Sequence, residues 1–148
     1  MEIELRTLST NGLAFDDATM SVSGYVNKTG QPSAVLGSGE NQFREIIEPG
    51  VFTKALQEAS VVDFYDEHDP DKVLATTSNE SLSLYEDDVG LSMRAPIVGT
   101  SWGKDTYELI KSGIITGMSF GMRVQSDEWS IDTDGVALRK VKAIQLFE

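Results

Sequence analysis

Apolar residues recur at every second position in several short segments of this chain, and this alternation constrains the fold more than any other sequence feature. Residues 1–8, 20–26 and 114–125 all show the pattern. Because successive side chains of a β-strand point to opposite faces, alternation predicts strands that bury one face. Further strands are predicted at residues 43–47, 61–65, 81–86, 90–95 and 136–148.

Helical spacing of apolar residues is found in two places. One helix is predicted over residues 52–59, where Pro-Gly precedes the segment. Thr100 or Ser101 can cap a second helix that runs through Lys111, and Gly113 fits its C-terminal end. These two helices are short compared with the predicted strands taken together.

The order of these segments predicts the fold class. Asp-Asp-Val-Gly at residues 87–90 separates two alternating segments, which indicates a hairpin in which Gly90 supplies a positive φ. Seven or eight strands, mostly in hairpin order, are combined with two helices. We therefore predict an α+β fold, with an antiparallel, barrel-like sheet and helices packed outside it.

Length and composition restrict the class of protein. A chain of 148 residues is long enough for one domain and too short for two of normal size. No apolar run approaches the roughly 20 residues of a membrane-spanning helix, and the acidic N-terminus lacks the features of a signal peptide. Because the chain has no cysteine, disulfides, thiolate metal sites and cysteine nucleophiles are excluded, and an intracellular protein is expected.

The charge of the chain argues against a nucleic-acid partner. Twelve basic residues and 24 acidic residues give a formal net charge of −12, and the basic residues are scattered singly. Phosphate backbones would be repelled on average. An acidic surface favours basic protein partners or contributes only to solubility.

The strand at residues 114–124 contains the strongest candidate for chemistry. One face of this strand would be almost entirely apolar, whereas the other would contain Gly117, Ser119 and Gly121 in succession. A serine between two glycines on its own face is open to approach by another chain. The segment also matches the G-x-S-x-G pattern of α/β-hydrolases, but in those enzymes a helix follows the serine, and here a helix precedes it.

A serine hydroxyl needs a base to remove its proton as it attacks, and histidine suits this role near neutral pH. His68 is the only histidine and lies 51 positions before Ser119. An acid would then orient the imidazole and stabilise its charged form. The residues alone leave four candidates for this acid, namely Asp66, Glu67, Asp69 and Glu148.

Glu148 differs from the other three acids in its predicted environment. Alternation along the last strand places Glu148 on one face with Ile144 and Leu146. A carboxylate on such an apolar face needs a partner or access to water.

Five segments, taken in order, resemble the prohead protease family of tailed phages. They are residues 43–52 (FREIIEPGVF), 68–70 (HDP), 87–91 (DDVGL), 115–124 (ITGMSFGMRV) and 146–148 (LFE). Their order and spacing match the family over about residues 40–148. The resemblance implies a fold like that of the herpesvirus capsid-maturation proteases. It also implies that Ser119 is the nucleophile, His68 the base and Glu148 the acid of an acyl-enzyme mechanism without a metal or cofactor.

The resemblance further implies a biological role. A prohead protease is expected to cleave scaffolding segments of the major capsid protein, and itself, inside the assembling prohead in the bacterial host cytoplasm. Capsid and scaffolding proteins would be its partners, and self-association is a further expectation. Neither nucleic acid nor a membrane is expected as a partner.

The chain departs from the family pattern in two places. After His68-Asp-Pro70 the family often continues with Leu-Gly-Arg, whereas this chain has Leu74-Ala-Thr-Thr77. The family also runs on past the acid, whereas this sequence stops at Glu148. We expect residues 1–148 to form a single protease domain, shortened or trimmed just after the acid, and weakly active or inactive unless assembly orders its end.

Two other functions compete with this hypothesis. The chain could be a catalytically silent structural or scaffold-binding capsid component with the same fold. It could also be a metal-dependent hydrolase, although its acids around the one histidine do not match zinc or EF-hand spacing. The ligands in that case would be Asp63, Asp66, His68, Asp69 and Asp71.

Overall fold

The computed structural model describes residues 2–148 and contains ten strands and two helices. The strands are β1 (Glu4–Ser9), β2 (Ala14–Asp16), β3 (Ser21–Lys28), β4 (Phe43–Ile47), β5 (Asp63–Asp66), β6 (Asp69–Thr76), β7 (Ser83–Glu86), β8 (Gly90–Pro96), β9 (Gly117–Ile131) and β10 (Ala137–Leu146). The helices are α1 (Val51–Glu58) and α2 (Ser101–Lys111). Neither helix is long and apolar enough to cross a membrane.

The strands form two four-stranded sheets and a separate hairpin. The first sheet has the order β1-β9-β10-β4, the second has the order β2-β3-β8-β7, and β5 pairs with β6. Both sheets and the helices contribute to one apolar core. The predicted α+β class with two helices is therefore confirmed. The number of strands is ten rather than seven or eight, and β10 pairs with β4 in parallel instead of antiparallel fashion.

The first sheet curls so strongly that side chains from its two edge strands meet. Arg6 on β1 and Glu45 on β4 are separated by two intervening strands, yet Arg6 Nε donates to Glu45 Oε1 at 2.7 Å. Arg6 Nη2 also donates to Glu45 Oε2 at 2.8 Å, so the pair is bidentate. The sheet is thus a curled half-barrel, because a flat sheet could not bring these edges into contact.

Two strands escaped the sequence analysis for physical reasons. β2 has only three residues, which is too few to show an alternating pattern. β6 begins with Asp69-Pro-Asp-Lys72, a polar sequence that contains proline and is typical of a loop. It is nevertheless a strand, because its pairing with β5 supplies the hydrogen bonds that local sequence does not predict.

The predicted hairpin at residues 87–90 is present as the connection between β7 and β8, but the role assigned to Gly90 was wrong. Gly90 is not among the residues with a positive φ. A Cβ atom at Gly90 would instead lie 2.0 Å from the Asn27 carbonyl oxygen on the neighbouring strand β3. The turn is held by Asp87, whose Oδ1 accepts from the N–H groups of Val89 and Gly90.

Helix α2 begins and ends as its sequence predicts. The Thr100 hydroxyl oxygen accepts from the Gly103 N–H at 3.1 Å, so Thr100 rather than Ser101 is the cap. Gly113 follows the helix with φ 80°, a conformation that favours glycine. Tyr107 and Ile110 bury the inner face of this helix.

Candidate active site

His68 lies at the tip of the β5–β6 hairpin. Asp66 pairs with Asp69 across the hairpin, so Glu67 and His68 form a two-residue connection. Their φ values are 52° and 58°, and positive φ at both central residues is the feature of a type I′ turn. Neither residue is the glycine or asparagine that such a turn favours, so the turn is strained where it presents the imidazole.

Helix α2 supports the hairpin from outside. Trp102 Nε1 on α2 donates to the Val73 carbonyl oxygen on β6 at 3.2 Å, and the Val98 N–H donates to the Leu74 carbonyl oxygen at 3.0 Å. An isolated two-stranded hairpin is only marginally stable in water. These contacts therefore connect the position of His68 to the body of the protein. Trp102 had no recognisable role in the sequence.

Ser119 lies on β9, next to β1 in the first sheet. Thr7 is its cross-strand partner. The sequence had indicated open space at both glycines beside Ser119, but in the structure neither position is open. A Cβ atom on Gly117 would lie 3.3 Å from Thr7 Cγ2, and one on Gly121 would lie 3.4 Å from Glu148 Cγ.

A β-bulge brings Glu148 to the serine face of the sheet. The Gly121 N–H donates to the Glu148 carbonyl oxygen at 2.8 Å, whereas the Phe147 N–H donates to the Gly121 carbonyl oxygen at 3.0 Å. Two residues thus oppose the single residue Gly121, which defines a bulge. The prediction that Glu148 shares a face with Leu146 was therefore wrong. Leu146 stays in the core, and the bulge moves the Glu148 side chain alongside Gly121.

The imidazole of His68 joins the serine and the acid. His68 Nε2 lies 2.6 Å from Ser119 Oγ, and His68 Nδ1 lies 2.7 Å from Glu148 Oε1. One tautomer satisfies both contacts, because a proton on Nδ1 is donated to the carboxylate while Nε2 accepts from the hydroxyl. The His68 side chain is 35% exposed and that of Glu148 is 20% exposed, so solvent and a substrate can both reach the group.

The other acids proposed from the sequence do not contact the imidazole through a hydrogen bond. Within residues 2–148, Asp66, Glu67 and Asp69 make no hydrogen bond to His68, and Asp69 Oδ1 instead accepts from the Asp71 N–H. The arrangement required for a metal-dependent hydrolase is also not formed. No group of three or more histidine and acidic side chains in the described chain is placed to hold a metal ion.

Tyr65 on β5 lies beside this group. Its hydroxyl donates to Asp63 Oδ2 at 2.8 Å. This hydrogen bond, followed by burial and by the negative charges of Asp63 and Glu148, raises the pKa of Tyr65 to about 12. Tyr65 therefore remains a neutral donor at all physiological pH values.

A cavity of about 450 Å³ opens at Ser119. It lies between the β5–β6 hairpin, helix α2 and the start of β9, and His68 and Glu148 also line it. Residues from distant parts of the chain form its walls, including Leu13 and Ile110. Sequence reasoning missed this cavity, because no local pattern links those residues before the chain folds.

Comparison with solved structures shows that this fold occurs in a known protease. The chain is similar to the structure of the bacteriophage T4 capsid assembly protease, gp21, with a TM-score of 0.50 and 10% sequence identity. The similarity covers 99% of this chain and 93% of that one. At this level of identity the similarity establishes the fold alone.

Sequence comparison is more specific about ancestry. No curated protein matches the chain. The family model described as caudovirus prohead serine protease matches residues 4–148, which is nearly the whole chain. The resemblance noted in five segments of the sequence is thereby confirmed, and the chain belongs to the prohead serine protease family of tailed phages.

Proposed function

We propose that this protein is a serine endopeptidase of capsid maturation, with Ser119 as nucleophile, His68 as general base and Glu148 as the orienting acid. One observation supports the assignment above all others. The same imidazole lies within hydrogen-bond distance of Ser119 Oγ and of Glu148 Oε1, through its two different nitrogens. A serine, a base and an acid in this order are the parts that acyl transfer requires.

The proposed reaction proceeds in two stages. His68 Nε2 takes the hydroxyl proton as Ser119 Oγ bonds to a peptide carbonyl carbon, and Glu148 stabilises the imidazolium that results. The imidazolium then gives its proton to the leaving amine as the C–N bond breaks. In the second stage His68 takes a proton from water as the water oxygen bonds to the acyl carbon. The imidazolium then gives this proton to Ser119 Oγ as the ester C–O bond breaks and the carboxylic acid product leaves.

Family membership supports the proposed substrates and setting. Scaffolding segments of the major capsid protein, and the protease itself, would be cleaved inside the prohead as it assembles in the bacterial cytoplasm. The reaction requires no cofactor, because its nucleophile, base and acid are side chains of the protein. A likeness to the herpesvirus maturation proteases and self-association of the chain are parts of the same proposal.

Labelling with a serine-directed phosphonate tests the assignment directly. Because the contacts of His68 with Ser119 and Glu148 are formed within the single chain, the unaltered protein should be labelled on Ser119 without assembly, and Ser119→Ala should not be labelled. His68→Ala should reduce the labelling rate by about 10⁴-fold or more, and Glu148→Gln by about 10⁴-fold. Because the three residues act as a unit, a double variant should be scarcely slower than His68→Ala alone.

Asp69→Asn provides a matched control, since Asp69 follows His68 in the sequence but its side chain makes no hydrogen bond to the imidazole. Its labelling rate should stay close to that of the unaltered protein. Absence of labelling in folded, unaltered protein would contradict the proposal and favour a silent structural component of the capsid. Loss of peptidase activity in a chelator would instead favour metal-dependent chemistry.

A further inference from the structure

The cavity beside Ser119 has six aliphatic side chains in its lining, alongside two aromatic ones, three threonines and four acidic residues. Val22 and Leu74 are almost completely buried, so the aliphatic surface that a ligand can contact comes from Leu13, Ile110, Ile115 and Met118. Its aliphatic lining consists of Leu13, Val22, Leu74, Ile110, Ile115 and Met118. Such a lining favours an apolar side chain, because transfer of apolar surface from water is favourable.

The position of the cavity determines which substrate residue would enter it. Attack requires Ser119 Oγ to approach the peptide carbonyl carbon to about 3–3.5 Å. The side chain nearest to that carbonyl belongs to the residue that supplies it. Since Ser119 itself lines the cavity, this side chain is the one that the cavity can receive.

The opening of the cavity is negatively charged. Asp66 and Glu67 line it next to His68, and within residues 2–148 neither carboxylate has a hydrogen-bond or ion-pair partner. The cavity lining includes no lysine or arginine. Acidic substrate residues close to the opening would therefore be repelled, and basic ones would be attracted.

We propose that the substrate is a peptide segment in which an aliphatic residue such as leucine supplies the scissile carbonyl and basic residues lie next to it. This inference rests on the proposed function and specifies the substrate class of the same site. It assigns the choice of substrate to the cavity walls, and to Ile115 in particular, because Ile115 lies just before the strand that contains Ser119.

Peptidyl phosphonates that differ in a single side chain provide the test. The second-order labelling rate of the unaltered protein should be about tenfold or more higher for a leucine phosphonate than for an alanine or a glutamate phosphonate. Among leucine phosphonates, one with a neighbouring lysine should label the protein about two- to fivefold faster than one with a neighbouring glutamate. Added salt should reduce that second ratio and leave the first nearly unchanged.

Two adjacent isoleucines allow a matched comparison of cavity variants. Ile115 lines the cavity, whereas Ile114 is 71% exposed and does not. Ile115→Trp should remove the preference for leucine over alanine, and Ile114→Trp should keep it. If Ile115→Trp fails to fold, Ile115→Ala serves instead, and the preference should shift from leucine towards phenylalanine.

The outcomes separate this inference from the proposed function. Labelling of Ser119 without a preference for leucine, or with an equal effect of both tryptophan variants, would overturn the inference alone. Absence of any labelling would overturn the proposed function. Calorimetric titration of Ser119→Ala with the same leucine and alanine peptides then tests the cavity without chemistry. Equal affinities for the two peptides would overturn the inference in that case as well.

Discussion

Gly121 leaves the space in which the side chain of Glu148 lies. The sequence suggested that both glycines beside Ser119 keep the serine open to a substrate, but in the structure they have different neighbours. Gly117 faces Thr7, and Gly121 faces Glu148. A missing side chain at position 121 thus allows the carboxylate to reach His68, a role that only the folded sheet reveals.

Gly121→Ala should reduce activity by displacing the acid. The new methyl group would lie 3.4 Å from Glu148 Cγ and equally close to Ile3 Cγ2, so the Glu148 side chain would have to shift slightly relative to His68. A displacement of about 1 Å can cost up to about 100-fold in rate, and a smaller shift costs less. We expect a phosphonate labelling rate that is about two- to tenfold lower. Gly12→Ala adds a methyl group in open space and should leave the rate unchanged; equal rates for both variants would argue against this role of Gly121.

Tyr107 gives a prediction for alkaline pH. Burial, together with the hydrogen bond to Asp17, raises the pKa of Tyr107 to about 12. An unfolded tyrosine ionises near pH 10, so folding favours the neutral phenol. The stabilisation is complete below about pH 10 and is lost as the pH rises towards 12.

Urea unfolding between pH 9 and 12 should therefore show a falling free energy of unfolding. Tyr107→Phe removes the titrating group and should show a shallower decline over the same range. Tyr65, whose pKa is also raised to about 12, would account for part of the decline that remains. Identical pH profiles for Tyr107→Phe and the unaltered protein would contradict the contribution of Tyr107.

The elements of the fold differ in how far their sequence determines them. The bounds of β4 match the prediction at both ends, and Thr100 and Gly113 delimit α2 through local contacts that any helix would make. Alternation also located Ser119 on a strand. Local patterns of this kind depend on neighbouring residues alone, so a single sequence contains them.

Other features depend on partners that are distant in the sequence. The parallel pairing of β10 with β4 joins residues 94 positions apart, and nothing in either strand specifies the other. The same is true of the bulge at Phe147 and Glu148, whose backbone groups both pair with Gly121 on the neighbouring strand. The four candidate acids could therefore be distinguished by coordinates and by resemblance, but not by their sequence context.

The turn at the tip of the β5–β6 hairpin predicts a stabilising substitution. Glu67 has φ 52°, a conformation that asparagine adopts more readily than glutamate. Glu67→Asn should raise the free energy of unfolding by about 1 kcal/mol, as measured by urea denaturation. Glu80, with φ 64°, lies far from the hairpin tip in sequence, and Glu80→Asn should give a similar gain. Destabilisation by Glu67→Asn would show that the turn requires its glutamate for another reason.

For the molecule as a whole, the ion pair between the two edges of the first sheet is the polar contact whose removal should destabilise the fold most. The Glu45 side chain is 3% exposed and accepts two hydrogen bonds from Arg6. Arg139 on β10 lies 3.5 Å from the same carboxylate and also pairs with Glu4 and Asp127. Loss of the Glu45 charge would leave Arg6 with Glu4, and Arg139 with Glu4 and Asp127, as the remaining carboxylate partners of two largely buried guanidinium groups. Removing one partner of a buried ion pair costs more than the pair itself contributes.

Glu45→Gln should accordingly lower the free energy of unfolding by about 3 kcal/mol. Glu48→Gln is the matched control. Glu48 also forms an ion pair, with Lys142 at 3.6 Å, but its side chain is 38% exposed. Its effect should remain within about 0.5 kcal/mol. The free energies of unfolding are measured by urea denaturation. A similar decrease in both variants would mean that the contact between the sheet edges stabilises the protein no more than an exposed ion pair does.

The three residues proposed for catalysis come from a hairpin tip, a central strand and a bulge, with His68 51 positions from Ser119 and 80 positions from Glu148. If these residues have the proposed roles, a fragment of the newly made chain that lacks any one of the three segments has no catalytic group. Proteolytic activity then begins only after the sheet has formed. A phage could synthesise such an enzyme alongside its own coat proteins and still keep them intact until folding is complete.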